Sequence, residues 1–125
     1  MRLREIQRLL EGEIVAGTNL LDREIFHAFA ADLLSDVLAI ARRGAEGAML
    51  ITGNVTLQVV YTADVVDLGA ILFVRGKRPT EAMIDLANQM EIPLLTTSYI
   101  MFETCGRLYQ HGLRGCVEKV GDGTD

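Results

Sequence analysis

An α/β architecture, with helices flanking a mostly parallel central sheet of about five strands, follows from three features of this 125-residue chain. Three apolar runs recur at a nearly constant spacing, Met49-Leu50-Ile51, Ile71-Leu72-Phe73-Val74 and Pro93-Leu94-Leu95. Segments with helical periodicity lie between them. Each run ends in a small-polar or basic turn: Thr52-Gly53-Asn54, Arg75-Gly76-Lys77-Arg78 and Thr96-Thr97-Ser98. This is the rhythm of a parallel βαβαβ unit. In such a unit the turns at the carboxyl ends of the strands gather on one edge, where small ligands usually bind.

The elements follow in order. Leu3, Ile6 and Leu10 repeat at helical spacing and Gly12 stands at the stop position, so the chain opens on a short amphipathic helix. Glu13 to Ala16 reads as a brief strand and Gly17-Thr18-Asn19 as a turn. Glu24 to Ala30 reads as a second strand carrying Ile25, Phe26 and Phe29. Asp32 or Ser35 offers an N-cap for a helix that runs to Arg42-Arg43 and stops at Gly44. The helices of the repeating unit are expected over roughly Val55 to Val65, Pro79 to Met90 and Ser98 to His111. Pro79 suits the first turn of its helix, with Met83, Ile84, Ala87 and Met90 as an apolar stripe. Ser98 is the expected cap of the last helix, whose stripe is Met101, Thr104, Cys105 and Leu108. Residues 1–112 are expected to form a single domain and the glycine-rich residues 113–125 a flexible C-terminal tail.

Composition narrows the function. The length allows one core and no separate catalytic module. Half the residues are apolar, the mean hydropathy is +0.25 and the net charge is −5. The high apolar content predicts that some surface meets a second copy, as a homodimer. The acidic balance argues against a nucleic-acid partner. No apolar run approaches the ~20 residues that span a bilayer, and Met1 to Leu10 reads as a helix rather than a signal peptide. A cytoplasmic protein without a membrane partner is expected. Cys105 and Cys116 form no CxxC pair and have no His or Cys neighbour at metal-ligand spacing, so no metal site is assigned. His27 and His111 lack a sequence-local nucleophile or carboxylate in a recognisable order. No catalytic residue is assigned, and no cofactor is identified or expected to be needed for folding.

From Ser35 to Leu108 the order of motifs resembles the DRTGG domain family. Carrying it are Ser35-Asp36-Val37-Leu38-Ala39, Leu50-Ile51-Thr52-Gly53-Asn54, and Arg78-Pro79 through Ile92-Pro93-Leu94-Leu95-Thr96-Thr97 to Phe102-Glu103-Thr104. The stretch from Arg75-Gly76 to Leu108 is similar as well to the N-terminal, non-kinase domain of HPr kinase/phosphorylase. Asp-Arg-Thr-Gly-Gly itself is missing, and Val74-Arg75-Gly76-Lys77-Arg78 stands where a Thr-Gly-Gly turn is expected. The resemblance implies an accessory module like those in phosphotransacetylases and CBS-containing pyrophosphatases, or a free-standing protein encoded beside a redox enzyme. Such a module is regulatory or dimer-forming rather than catalytic.

The candidate ligand-binding set is therefore Thr52, Gly53, Asn54, Arg75, Gly76, Lys77, Arg78, Thr96, Thr97 and Ser98. Each turn precedes a helix, so free N–H groups and the positive end of a helix dipole face the crevice with the hydroxyls and the basic side chains. A phosphate or nucleotide fits such a place. The same residues also serve as ordinary caps and turn punctuation. The leading expectation is a non-catalytic accessory or regulatory domain that homodimerises and senses a small phosphorylated metabolite or nucleotide at the strand edge. The alternatives are a docking module for a larger, redox-type enzyme, or a small-molecule or phosphoryl-transfer enzyme.

Overall fold

The computed structural model describes residues 1–121. In chain order the elements are α1 (Leu3–Leu9), β1 (Glu13–Ala16), a 3-10 turn (Thr18–Leu20), β2 (His27–Ala30), α2 (Leu34–Ala41), β3 (Met49–Thr52), α3 (Leu57–Val65), β4 (Ala70–Phe73), α4 (Glu81–Met90), β5 (Leu94–Thr96), α5 (Met101–Gln110) and β6 (Arg114–Gly115). The sheet order is β1-β5-β4-β3-β2-β6. Strands β2 to β5 and β6 run parallel, and β1 closes the β5 edge antiparallel, with Glu13 opposite Thr96. The α/β class and the mostly parallel sheet are as the sequence predicts.

Every residue of β3, β4 and β5 is buried, because helices cover both faces. Alternation along the strands sorts the core into two layers. Ile71 and Phe73 pack with Val37 of α2, Val59 and Ala63 of α3 and Met83 and Ala87 of α4 on one face. Ala70 and Leu72 pack with Leu3 and Ile6 of α1 and Leu108 of α5 on the other. The three crossovers after β2, β3 and β4 thus lie on one face, and the one after β5 lies on the opposite face.

Several sequence expectations change in detail. Strand β2 begins at His27 rather than Glu24, because Glu24 forms an isolated bridge to Arg2 and Ile25 donates to the Met1 carbonyl at 2.8 Å. Neither Asp32 nor Ser35 caps α2; its N-cap is Leu33, with no side-chain hydrogen bond. Ser98 does not cap α5 either, since the chain continues to Ile100 before the helix starts. Pro79 precedes the true cap of α4, Thr80, whose hydroxyl accepts from the Met83 N–H at 3.2 Å. The start of the tail is also ordered: Leu113 is buried, Arg114 and Gly115 pair with His27 and Ala28, and the Cys116 N–H donates to the Ala28 carbonyl at 3.2 Å. A sixth strand is invisible in the sequence because two residues carry no periodicity. Of the expected tail, residues 122–125 lie outside the described residues.

Candidate functional site

The chain after β4 turns toward α4 on one face, and the chain after β5 turns toward α5 on the other. Adjacent crossovers that part in this way open a crevice at the carboxyl edge of a parallel sheet. Here the crevice is divided in two by the turn after β4. The ten residues expected to converge are shared between the halves.

The first half is a cleft of about 380 Å³ bounded by Asp32, Gly53, Arg75, Lys77 and the start of α5. Its wall is a hydrogen-bonded knot. The Gly53 N–H donates to Asp32 Oδ1 at 2.7 Å, and the Thr52 hydroxyl donates to the same oxygen at 3.3 Å. The Asn54 N–H donates to Thr52 Oγ1 at 3.0 Å, while Asn54 Nδ2 donates to the Asp32 carbonyl at 2.9 Å. Thr52 and Asn54 therefore hold the turn together rather than face a ligand. Lys77 reaches across, its ammonium donating to the Gly53 carbonyl at 2.9 Å. That contact engages one of three ammonium donors and neutralises no charge.

Arg75 and Gly76 both hold left-handed backbone, with φ of 62° and 70°. Their N–H groups donate to the Tyr99 and Thr97 carbonyls at 2.8 and 2.9 Å, which ties the β4 turn to the β5 turn. Glycine suits this conformation and arginine adopts it at a cost. The Arg75 side chain makes no ion pair or hydrogen bond among the described residues. Opposite it stands the amino end of α5, whose N-cap Ile100 supplies no side-chain acceptor. Its first N–H groups and the helix dipole present positive potential to the cleft. Ile100 and Phe102 form an apolar lip, 57% and 84% exposed.

The second half, about 370 Å³, is lined by Gly76, Arg78, Thr96, Thr97 and Ser98 together with Glu11 and Glu13. Its chemistry is the opposite of that expected. Arg78 is paired with Glu13 at 2.8 Å, and a second carboxylate, Glu11, accepts from the Tyr99 phenol. The buried Thr97 hydroxyl donates to the Leu10 carbonyl at 2.8 Å and accepts from the Tyr99 N–H at 3.2 Å. This half is a structural junction between the end of α1 and the β5 turn. The hydrogen bond to Glu11 pushes the Tyr99 pKa up, and Arg107 stacks over its ring at 4.0 Å.

Of the expected set, Gly53, Arg75 and Lys77 line one cleft and Gly76, Arg78, Thr96, Thr97 and Ser98 line the other, while Asp32, read in the sequence as a cap for α2, joins the first. A carboxylate one residue beyond a predicted strand was the available signal. Elsewhere, Cys105 and Cys116 are free thiols. Burial pushes both thiol pKa values up. Among the described residues no group of three His, Cys, Asp or Glu side chains is placed to hold a metal ion. None of the described helices is long and apolar enough to cross a membrane.

A six-stranded, mostly parallel sheet with helices on both faces and a cationic cleft at its carboxyl edge describes a small α/β module. The chain belongs to the DRTGG domain family, which matches residues 5–111. Among solved structures it is similar to the CBS and DRTGG domains of the regulatory region of Clostridium perfringens pyrophosphatase, crystallised with the activator diadenosine tetraphosphate. The TM-score is 0.70 at 20% identity, over 87% of this chain and 46% of that one. This chain therefore spans less than half of that regulatory region. Comparison with curated proteins gives no significant match.

Proposed function

We propose that this domain is a non-catalytic, cytoplasmic regulatory module that homodimerises, serves a larger enzyme and binds a nucleotide or phosphorylated metabolite between Arg75, Lys77 and the amino end of α5. One observation carries the reading. Among the described residues the Arg75 side chain has no ion pair or hydrogen bond and the charge of Lys77 beside it is unpaired, while Arg75 holds left-handed backbone and the nearby helix start lacks a capping side chain. These features favour the same occupant, an anion that several N–H donors can approach. Two cations outweigh the one carboxylate, Asp32, whose Oδ1 already accepts two hydrogen bonds.

The cleft offers charge and donors, while the nearby hydroxyls of Thr52 and Thr97 are engaged in turn bonds; such groups bind rather than react. The apolar lip of Ile100 and Phe102 suits the base of a nucleotide. The pyrophosphatase regulatory region, solved with a nucleotide activator, supports a ligand of this class. Two unpaired thiols suit a reducing compartment.

Thermal unfolding with ATP, diadenosine tetraphosphate and inorganic phosphate tests the reading. A ligand at a hundredfold excess over its dissociation constant adds about 2.7 kcal/mol, a rise on the order of ten degrees in a domain of this size. The rise is expected for at least one nucleotide and is lost in Arg75→Ala and Lys77→Ala. A flat response throughout overturns the ligand and favours a docking module. Turnover of the ligand overturns the non-catalytic assignment.

A further inference from the structure

We infer that the outer face of α2 and α3 is the surface on which a second copy of this chain packs, with two-fold symmetry; this rests on the homodimer reading above. Helix α3 buries Val59, Val60 and Ala63 against the sheet. On its solvent side it leaves Leu57, Tyr61 and Val65 at four-residue spacing, 39%, 52% and 76% exposed. Leu38 of α2, 43% exposed, continues the patch. Along the described helix α3 the only charged side chain is Asp64, and along α2 it is Asp36. Solvated helices carry more charge than this, and depletion of charge is what marks the core of an interface.

The face also contains both halves of a self-complementary contact. A groove of about 490 Å³ lies between the carboxyl ends of the two helices, with Leu38 and Val65 as walls and Ala41 and Ala45 deeper in. One turn before Val65 stands Tyr61, a projecting ring. An isologous dimer requires that one surface present knob and hole together, and here each Tyr61 enters the groove of the other copy. A stable interface buries about 800 Å² on each partner, an area that takes in the polar rim of the groove as well as these exposed apolar side chains.

That rim is charge-complementary to itself. Arg42, Glu46 and Asp67 border the groove, are exposed, and have no ion pair among the described residues, so the one cation has carboxylates to meet. Across a two-fold axis each Arg42 meets the Glu46 of the other copy, giving two equivalent pairs. The face leaves the ligand cleft open, because crossover helices run back against their strands and end at the amino edge of the sheet, opposite Arg75 and Lys77.

Sedimentation equilibrium at micromolar concentration, with circular dichroism as the control for folding, tests this face. Wild type is expected to be a dimer, and Val65→Glu and Tyr61→Lys to be folded monomers, since a charge in a desolvated contact lacks a partner. Arg42→Glu and Glu46→Arg are each expected to raise the dissociation constant, and the double reversal to restore it, because only a contact between identical copies regains both pairs. A monomeric wild type overturns this inference together with the homodimer reading. A wild-type dimer that survives both Val65→Glu and Tyr61→Lys overturns the face alone, as does a double reversal without rescue. If one variant fails to fold, the other and the charge reversal still decide.

Discussion

At the residue scale, close approach and burial decide what substitution does. A Cβ on Gly69 would meet the Gly47 carbonyl oxygen at 2.4 Å, with Ile25 Cδ1 at 3.0 Å on another side. Because the first neighbour is backbone, the chain itself must shift. Gly69→Ala is therefore expected to destabilise by about 1–3 kcal/mol, read as a lower melting temperature. Gly76, by contrast, has open space around its Cβ position and only the left-handed φ of 70° to satisfy. The two cysteines give a pH signature. Burial disfavours their thiolates, so the folded pKa lies above the value of about 8.5 in an unfolded chain. The unfolded chain then releases its protons first, and the stability present below about pH 8.5 declines as pH rises toward and through the folded values. Alkylation of native protein at pH 8 is expected to be slower than that of a model thiol and to accelerate on unfolding. None of this is legible in the sequence, where Gly69 and Cys105 have no visible neighbours.

At the element scale the helix starts are informative. Helix α4 is capped by Thr80, and Thr80→Ala is expected to cost about 1 kcal/mol because it leaves the Met83 N–H without its acceptor. Helix α5 is the contrasting case. Its N-cap Ile100 is exposed and contributes no acceptor, and the start of this helix lines the cationic cleft. Ile100→Asp is expected to stabilise the free protein by about 1 kcal/mol through capping and dipole neutralisation. The same change is expected to abolish the nucleotide-induced rise in melting temperature, since the carboxylate takes the place of the anion. Unchanged ligand response in a stabilised Ile100→Asp protein would show that the anion does not use this helix end. The sequence located α3, α4 and α5 to within a few residues, since apolar periodicity is local. It misplaced the caps of α2 and α5, since Asp32 and Ser98 are equally suitable by residue type and only the path of the chain assigns their roles.

At the scale of the whole molecule, β4 is the shared wall of two core layers. Phe73 packs toward α3 and α4, and its neighbour Leu72 toward α1 and α5. Phe73→Ala is expected to cost about 3–5 kcal/mol and Leu72→Ala about 2–5 kcal/mol, large fractions of the ~5–15 kcal/mol that holds a domain together. Both layers hang on one sheet, so each variant is expected to unfold in a single transition whether followed by far-UV circular dichroism or by Tyr fluorescence. Two separated transitions would mean that the layers are independent. The same arrangement explains the crevice: three successive crossovers share one face, and the fourth passes to the other.

Alternation and helical periodicity are properties of neighbouring residues, so the parallel rhythm, the α/β class, the family resemblance and the closeness of Gly53, Arg75 and Lys77 could all be read from the chain. The division of the strand edge into a cationic cleft and a carboxylate-lined junction could not. It depends on Glu11 and Glu13 returning beside β5 and on Asp32 reaching Gly53, contacts between segments far apart in sequence. The sixth strand and the charge-poor face of α2 and α3 are of the same kind. Which polar group meets which, and which apolar side chain stays outside, is decided only when the sheet brings distant turns and helices side by side.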